Sequence, residues 1–262
     1  MRVLVTGATG GIGRAICFDL LNHAKACGAE IAIAAAAFKP GPALDALVAE
    51  LLDAGARAAG FHANLGDAPS CIRLAEQAVD FCGGLDQLVS NAGLMAAAPL
   101  SGLDVEQWDL VFNVDTRATW LLAKTARRAL AETKGSVVAI ASMAGELPLP
   151  NSGAYSASKA ALIMLCRQLA QEWAADEIRV NSISPGMIHT PLTAPIYQNA
   201  EVKRRREAMV PLGRIGQPEG IARAVRYLAG SDSSYATGIN LRLDGGLCDS
   251  LLATMPGLPD KT

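Results

Sequence analysis

Near its N-terminus the chain passes from a short aliphatic run directly into a glycine-rich turn, Arg2-Val3-Leu4-Val5-Thr6-Gly7-Ala8-Thr9-Gly10-Gly11-Ile12-Gly13, and a helical pattern begins at Arg14. Glycine lets the backbone turn tightly and approach a ligand closely. The N-terminus of the following helix offers free N–H groups and the positive end of the helix dipole. This strand, turn and helix predict a site for the pyrophosphate of a dinucleotide.

The rest of the chain repeats the alternation of short aliphatic runs and longer helical patterns. Such alternation is typical of an α/β fold whose parallel sheet is covered by helices on both faces. We predict strands near residues 2–6, 30–37, 56–62, 85–90, 136–141, 179–184 and 240–243. For the segment at 30–37 a helix is the alternative, because its alanines favour helix by intrinsic propensity.

Length and charge limit the function classes. The chain has 262 residues, 51% of them hydrophobic, which fits one folded domain spanning residues 1–262. A formal net charge of -2 lacks the basic excess that nucleic-acid binding needs. The longest uncharged stretch, residues 180–200, contains three prolines, so we expect no membrane segment.

The six cysteines contain no CxxC pair. Structural zinc ligands normally come in closely spaced pairs, so no metal site is predicted. We interpret the cysteines as buried free thiols in a reducing compartment, and therefore expect a cytoplasmic protein.

One segment, at about residues 190–217, departs from the alternating pattern. Prolines stand at its start and just beyond its end, and the basic run Lys203-Arg204-Arg205-Arg206 lies between them. We interpret it as an excursion over the sheet.

A second motif, Tyr155-Ser156-Ala157-Ser158-Lys159, lies in a predicted helix over residues 152–175. Residues at i and i+4 share a helical face, so the phenol and the ammonium project into the same space. A nearby cation favours the phenolate, which would make Tyr155 a usable base near neutral pH. Taken alone, such a pair is more often simply exposed on a helix surface.

Three further polar positions accompany this pair. Ser142 follows the strand at 136–141, and Asn91-Ala92-Gly93 closes the strand at 85–90. Asn113 interrupts a long helical pattern over residues 105–132. Strand-terminal residues of an open parallel sheet border its ligand site, whereas an asparagine within a helix is usually solvated or capping.

Taken together and in order, these motifs resemble the short-chain dehydrogenase/reductase family over nearly the whole chain. The matching residues are Thr6-Gly7-x3-Gly11-x-Gly13, Asn91-Ala92-Gly93, Asn113, Ser142, Tyr155-x3-Lys159, Pro185-Gly186 with Thr190, and Leu243-Asp244-Gly245-Gly246. The resemblance implies a single domain with a Rossmann-type doubly wound parallel sheet of about seven strands. It also implies a reversible reaction between a ketone and a secondary alcohol with a nicotinamide cofactor.

The resemblance assigns four catalytic residues. Tyr155 is expected to be the general acid/base, and Lys159 to support it and bind the nicotinamide ribose. Ser142 would hold the substrate oxygen beside the phenol. Asn113 would kink its helix and support a water that links Lys159 to solvent.

The resemblance also implies the contacts of the cofactor. Ile188 and Thr190 fall where the carboxamide binds, and Asn64-Leu65 stand at the adenine position, where the family often has aspartate. The full set of expected cofactor-binding residues is Thr6, Gly7, Thr9, Gly11, Ile12, Gly13, Asn64, Leu65, Asn91, Ala92, Gly93, Tyr155, Lys159, Pro185, Gly186, Ile188 and Thr190.

The choice between NAD and NADP rests on the end of the second strand. An acid there normally binds the ribose hydroxyls of NAD, and a basic residue accommodates the phosphate of NADP. The sequence offers neither at the usual place, but Lys39 follows shortly after Ala37-Phe38. This gives a slight lean toward NADP.

Aliphatic and methionine side chains surround the catalytic motifs, which favours a largely apolar or cyclic ketone or alcohol as substrate. Two other functions stay open, a 3-oxoacyl thioester reductase and a non-catalytic dinucleotide-binding sensor. The resemblance further implies a homotetramer built partly through the helices at 105–132 and 152–175.

Overall fold

A single sheet of seven parallel strands runs through the part of the chain that the computed structural model describes, residues 1–251. Its strands are β1 Arg2–Thr6, β2 Ala32–Ala37, β3 Arg57–His62, β4 Gln87–Ser90, β5 Ser136–Ile140, β6 Arg179–Pro185 and β7 Asn240–Leu243. Their order across the sheet is β3-β2-β1-β4-β5-β6-β7. The predicted α/β class with a Rossmann-type, doubly wound parallel sheet is confirmed. Residues 252–262 of the predicted domain lie outside the described residues.

Helices cover both faces of this sheet. They are α1 Gly11–Ala26, α2 Pro42–Asp53, α3 Ala68–Cys82, α4 Val105–Phe112, α5 Ala118–Thr133, α6 Tyr155–Glu172, α7 Ala194–Tyr197, α8 Ala200–Met209 and α9 Pro218–Ala229. One apolar cluster joins the sheet to α3, α5 and α6, and a second joins it to α1, α2 and α9. Neighbouring strand residues such as Leu4 and Val5 contribute to opposite clusters, as the pleat of a strand requires.

The alanine-rich segment forms β2 as predicted, and all six of its residues are buried. It lies between β1 and β3, pairing Ala34 with Leu4 on one side and with Ala59 on the other. Hydrogen bonding to two neighbouring strands and burial on both faces outweigh the helical propensity of alanine. Helical propensities differ by only about 0.7 kcal/mol per residue among ordinary side chains.

The predicted helix over residues 105–132 is interrupted. A π-helical turn, Asn113–Arg117, separates α4 from α5. Such a turn inserts an extra residue into the helix and often occurs at a functional site. The irregularity expected at Asn113 is thus present, although its consequence for the site differs from the expectation.

The cysteines are only partly as predicted. All six are free thiols, and Cys17, Cys71, Cys82 and Cys166 are buried. Cys27 is exposed at the end of α1 and Cys248 is half-buried, so the prediction of burial is wrong for these two. None of the described helices is long and apolar enough to cross a membrane.

The guanidinium of Arg179 fastens β6 to the end of α9. It donates to the carbonyl oxygens of Leu228, Ala229 and Gly230 at 2.6, 3.0 and 2.9 Å. It also donates to the hydroxyl of Ser233 at 2.8 Å. These bonds satisfy carbonyls that a helix end leaves without intrahelical partners.

We expect Arg179→Met to lower the free energy of unfolding by about 2–3 kcal/mol, because it removes a charged donor from three part-buried carbonyl oxygens that would then share two hydroxyls, those of Ser136 and Ser233. Arg128→Met is the matched control, since Arg128 is exposed and, among residues 1–251, pairs only with Glu132 on its own helix. That change should cost less than about 0.5 kcal/mol. Urea unfolding of the two variants gives the comparison, and equal losses would contradict the role given to Arg179.

Candidate active site

The glycine turn after β1 is built so that two of its glycines cannot be replaced. Gly7 has a φ of +61°, in the left-handed region that favours glycine. A Cβ on Gly13 would lie 2.1 Å from the carbonyl oxygen of Gly7. The turn therefore packs against the first turn of α1, whose leading N–H groups have no intrahelical acceptors. This arrangement suits an anionic group.

Side-chain hydrogen bonds join the ends of β1 and β4. The hydroxyl oxygen of Thr6 accepts from the backbone N–H groups of Asn91 and Ala92, both at 3.0 Å. The amide of Asn91 donates in return to the carbonyl oxygens of Thr6 and Gly7, at 3.0 and 3.1 Å. The strand order reverses between β1 and β4, and open α/β sheets bind ligands at such a point.

A cleft of about 790 Å³ opens above this junction. Twelve of the predicted cofactor-binding residues line it: Thr6, Gly7, Thr9, Gly11, Ile12, Gly13, Asn64, Leu65, Asn91, Ala92, Gly93 and Thr190. Helical side chains that the sequence did not single out, including Leu74, Leu110 and Val114, complete the wall. The volume lies within the range of small-molecule and cofactor sites.

Three other predicted cofactor contacts, Pro185, Gly186 and Ile188, lie outside the lining of this cleft. A Cβ on Gly186 would lie 2.6 Å from the Cα of Asp244, so glycine permits a close crossing of two backbones. Ile188 is buried and pairs with Gly216 in an isolated bridge. These residues support the segment from which Thr190 reaches the cleft.

At the other end of the cleft, the oxygen of the Asn64 side chain accepts from the N–H of Gly66 at 3.0 Å. Phe38, just past β2, lines the cleft while 64% exposed. Lys39 is exposed beside it, with its ammonium 5.8 Å from the centre of the Phe38 ring. No acid stands at Ala36, Ala37 or Phe38, where this wall is formed.

Lys159 and Tyr155, two of the four predicted catalytic residues, lie next to each other beside the cleft. The Lys159 ammonium is buried and donates to the carbonyl oxygen of Ile140 at 3.1 Å. It lies 5.6 Å from the centre of the Tyr155 ring. Ser142 follows in the loop after β5, and its hydroxyl accepts from the N–H of Ala144 at 3.1 Å. A Cβ on Gly93 would lie 3.1 Å from the Lys159 ammonium, so the cleft and the catalytic group adjoin.

Asp115 faces Lys159 from the π-helical turn. Its carboxylate lies 3.8 Å from the Lys159 ammonium, and both side chains are almost fully buried. It also accepts from the N–H of Leu94 at 2.7 Å and from the hydroxyl of Ser158 at 3.0 Å. Burial raises the pKa of Asp115, against the opposing effects of Lys159 and these hydrogen bonds.

Asn113 is half-buried two positions earlier and makes no side-chain hydrogen bond to the described part of the chain. Sequence reasoning overlooked Asp115 because it sought an amide at the break in the helix. A signal was available, since Val111, Asp115, Ala118 and Leu122 share one helical stripe and are all buried. A lone carboxylate on an apolar stripe requires a buried partner.

The predicted excursion begins directly over the glycine turn. A Cβ on Gly11 would lie 2.9 Å from the ring of Pro191. The hydroxyl of Thr193 donates to the carbonyl oxygen of Ile188 at 2.7 Å and accepts from the N–H of Thr190 at 2.9 Å. Helices α7 and α8 follow, and His189 stacks on Tyr197 with ring centres 5.5 Å apart.

Glu146, the acid nearest to Ser142 in sequence, is paired. Its carboxylate accepts from Arg242 at 3.1 Å and from Asn240 at 2.8 Å. Within residues 1–251 no group of three or more His, Cys, Asp or Glu side chains could hold a metal ion.

Comparison with known proteins agrees with this geometry. A family model described as "Enoyl-(Acyl carrier protein) reductase" matches residues 7–248. The cis-4-hydroxycyclohexanecarboxylate dehydrogenase of Sinomonas cyclohexanicum is 37% identical over 93% of this chain and 94% of its own length. The 3-oxoacyl-[acyl-carrier-protein] reductase of Thermotoga maritima is 34% identical over 93% of this chain and 96% of its own.

Solved structures share the fold closely. One of them, a Beutenbergia cavernae protein proposed as an NAD(P)-dependent gluconate 5-dehydrogenase, was solved with NADP bound at low occupancy. It is 33% identical, with a TM-score of 0.84 over 95% of this chain and 97% of its own. The extent of these matches, together with the motifs placed around the cleft, shows that the chain belongs to the short-chain dehydrogenase/reductase family.

Proposed function

We propose that this protein interconverts a ketone and a secondary alcohol with a nicotinamide dinucleotide, acting on a largely apolar or cyclic substrate. The observation that carries the proposal is the position of the buried Lys159 ammonium. It lies beside the Tyr155 ring at 5.6 Å and next to Gly93, which lines the dinucleotide-sized cleft. A proton-transferring group and a cofactor site therefore adjoin.

The residues of the cleft fit a dinucleotide. The glycine turn and the first turn of α1 would hold the pyrophosphate, and Asn64 with Leu65 would hold the adenine. Lys159 and Tyr155 would bind the nicotinamide ribose, and Thr190 with Ile188 would position the carboxamide. The cofactor, when bound, would supply or accept a hydride.

The protein itself would manage the proton. In the reducing direction the Tyr155 hydroxyl gives its proton to the carbonyl oxygen as hydride reaches the carbonyl carbon. Ser142 holds that oxygen by a hydrogen bond, and the positive charge of Lys159 stabilises the tyrosinate that remains. In the oxidising direction the same tyrosinate takes the proton of the alcohol.

Several features favour an apolar or cyclic substrate. Leu94 lines the cleft beside the catalytic group, and Leu192 is largely exposed above the glycine turn. The Glu146 charge is taken up by Arg242. The name of the Sinomonas relative describes a cyclic hydroxy acid as its substrate.

The name of the Thermotoga relative supports a second candidate function, reduction of a 3-oxoacyl thioester. Parallel assays with cyclic ketones and a 3-oxoacyl thioester distinguish the two, and we expect the cyclic ketones to be turned over faster. A non-catalytic sensor is disfavoured because both Tyr155 and Lys159 are present.

Residues 190–217 would act as a lid over the substrate, since they begin against the glycine turn. We further propose a single domain over residues 1–262 and a cytoplasmic homotetramer. The segments at 105–132 and 152–175 would contribute to the contacts between subunits. Exposed Val105, Trp108 and Met164 on these segments support that arrangement.

We expect Tyr155→Phe to lower turnover by about 10²–10⁴-fold, because it removes only the hydroxyl that transfers the proton. Binding of the cofactor should change little. The measurement is the steady-state rate with a cyclic ketone, accompanied by fluorescence titration of the cofactor. Tyr235→Phe is the control, since Tyr235 is fully exposed. Full activity of the Tyr155 variant would refute its assigned role.

Lys39 is expected to contact the additional phosphate of NADP. Lys39→Met should weaken NADPH binding about 5-fold, the effect of losing one exposed charge pair worth ~1 kcal/mol. NADH binding should be unchanged. Fluorescence titrations with both cofactors test this, with Lys25→Met on the exposed end of α1 as control. Equal weakening of NADH and NADPH would count against a phosphate contact.

A further inference from the structure

The buried ion pair between Asp115 and Lys159 places a negative charge behind the group that supports Tyr155. The two charged groups are 3.8 Å apart, with side chains 0% and 3% exposed. Charges excluded from water are screened little by solvent and salt, so each affects the other groups of the site strongly.

The carboxylate of Asp115 is held in place from two further directions. The N–H of Leu94 donates to one oxygen at 2.7 Å, a length typical of a bond to a charged acceptor. The hydroxyl of Ser158 lies 3.0 Å from the other oxygen. Leu94 belongs to the wall of the cleft and Ser158 directly precedes Lys159. The carboxylate therefore cannot swing away from Lys159 without breaking both bonds.

We propose that Asp115 is a positioning residue that fixes the Lys159 ammonium and offsets its charge, so that Lys159 promotes loss of the Tyr155 proton less strongly and the site favours reduction of the carbonyl. The inference rests on the proposed function. An amide at the same place would accept from Leu94 through its oxygen, but its NH2 group could not accept from Ser158. The charge of Lys159 would be left unopposed, and the tyrosinate would then form more readily.

Other ionisable groups do not supply this effect. Cys166 is the neighbouring titratable group on α6, and burial raises its pKa to about 12, so its thiol is neutral. Arg117 points away to the carbonyl oxygen of Gly66, at 2.6 Å. Glu146, in the loop after β5, is neutralised by Arg242. Asp115 is thus the anion in direct contact with the catalytic pair within the described residues.

The test is an ultraviolet titration of tyrosinate formation in the cofactor-free protein. Subtracting the titration of Tyr155→Phe isolates Tyr155 from the other three tyrosines. Asp115→Asn should move the midpoint of Tyr155 to lower pH by about one unit, as expected for one charge acting through a protein interior. In the oxidising direction, the rising limb of the pH–rate profile should shift the same way.

Two matched variants complete the design. Asp109→Asn removes the same charge from an exposed position on α4 and should leave the midpoint unchanged. Asp115→Glu keeps the charge and should keep the midpoint close to that of the unaltered protein, which separates charge from local packing. An unshifted or raised midpoint in Asp115→Asn, or an equal shift in Asp109→Asn, would overturn the proposal.

A second readout uses the stability of the protein and needs no substrate. Burial raises the pKa of Asp115 in the folded protein above its unfolded value. Protonated Asp115 therefore favours folding, and that stability is lost as pH rises through the folded pKa. Relative to Asp115→Asn, the unaltered protein should become less stable as pH rises from about 4 toward neutrality. The loss should level off below neutrality, where the carboxylate is ionised in the folded protein; a loss that continues above neutrality would show a protonated carboxyl and would overturn the proposal.

These experiments separate this inference from the proposed function. Should the protein reduce no ketone, the titration of Tyr155 still reports on Asp115. Should Asp115→Asn titrate like the unaltered protein while ketone reduction persists, the positioning role alone fails.

Discussion

The hydrogen bonds between Thr6 and Asn91 are the constraint on which the site depends. The order of the strands reverses between β1 and β4, so the connections that leave these strands diverge to opposite faces of the sheet. The N–H of Asn91 donates to the Thr6 hydroxyl oxygen at 3.0 Å, which holds the ends of β1 and β4 together. The cleft is the space between the diverging segments, and the close approach of Gly7 and Gly13 shapes its floor. The proposed dinucleotide site thus follows from topology together with four short side-chain contacts.

Electrostatics explains why Lys159 can be buried at all. An isolated ammonium in the interior is strongly disfavoured, and it persists only where hydrogen bonds and opposite charge compensate for lost water. Lys159 receives both, from the Ile140 carbonyl and from Asp115. The carboxylate of Asp115 in turn accepts hydrogen bonds from Leu94 and Ser158. The wall of the cleft and the proton-transferring group consequently share one hydrogen-bonded network, so a ligand that displaces Leu94 also acts on Lys159.

Local features were predictable from the sequence, and features set by tertiary contacts were less so. The glycine turn and the spacing of Tyr155 and Lys159 are encoded in a few adjacent residues, and the structure brings them to one edge of the sheet. The π-helical turn could not be read from periodicity, although the buried helical stripe that contains Asp115 could. The position of Gly186 was predicted as a cofactor contact, whereas its requirement for glycine comes from Asp244, distant in sequence. The helical residues that line the cleft, such as Leu74 and Leu110, belong to no sequence motif and so were not predicted.

Two charged groups at opposite ends of the cleft act in the same direction. At one end of the cleft, the wall after β2 lacks the acid that binds the ribose hydroxyls of NAD and offers exposed Lys39 instead. At the other end, a carboxylate opposes the charge that would promote the tyrosinate. A basic residue near the ribose favours the phosphorylated cofactor, and a phenol that keeps its proton favours giving that proton to a carbonyl oxygen. Lys39 and Asp115 therefore both agree with the proposed reduction of a carbonyl, although they lie at opposite ends of the cleft and carry opposite charges.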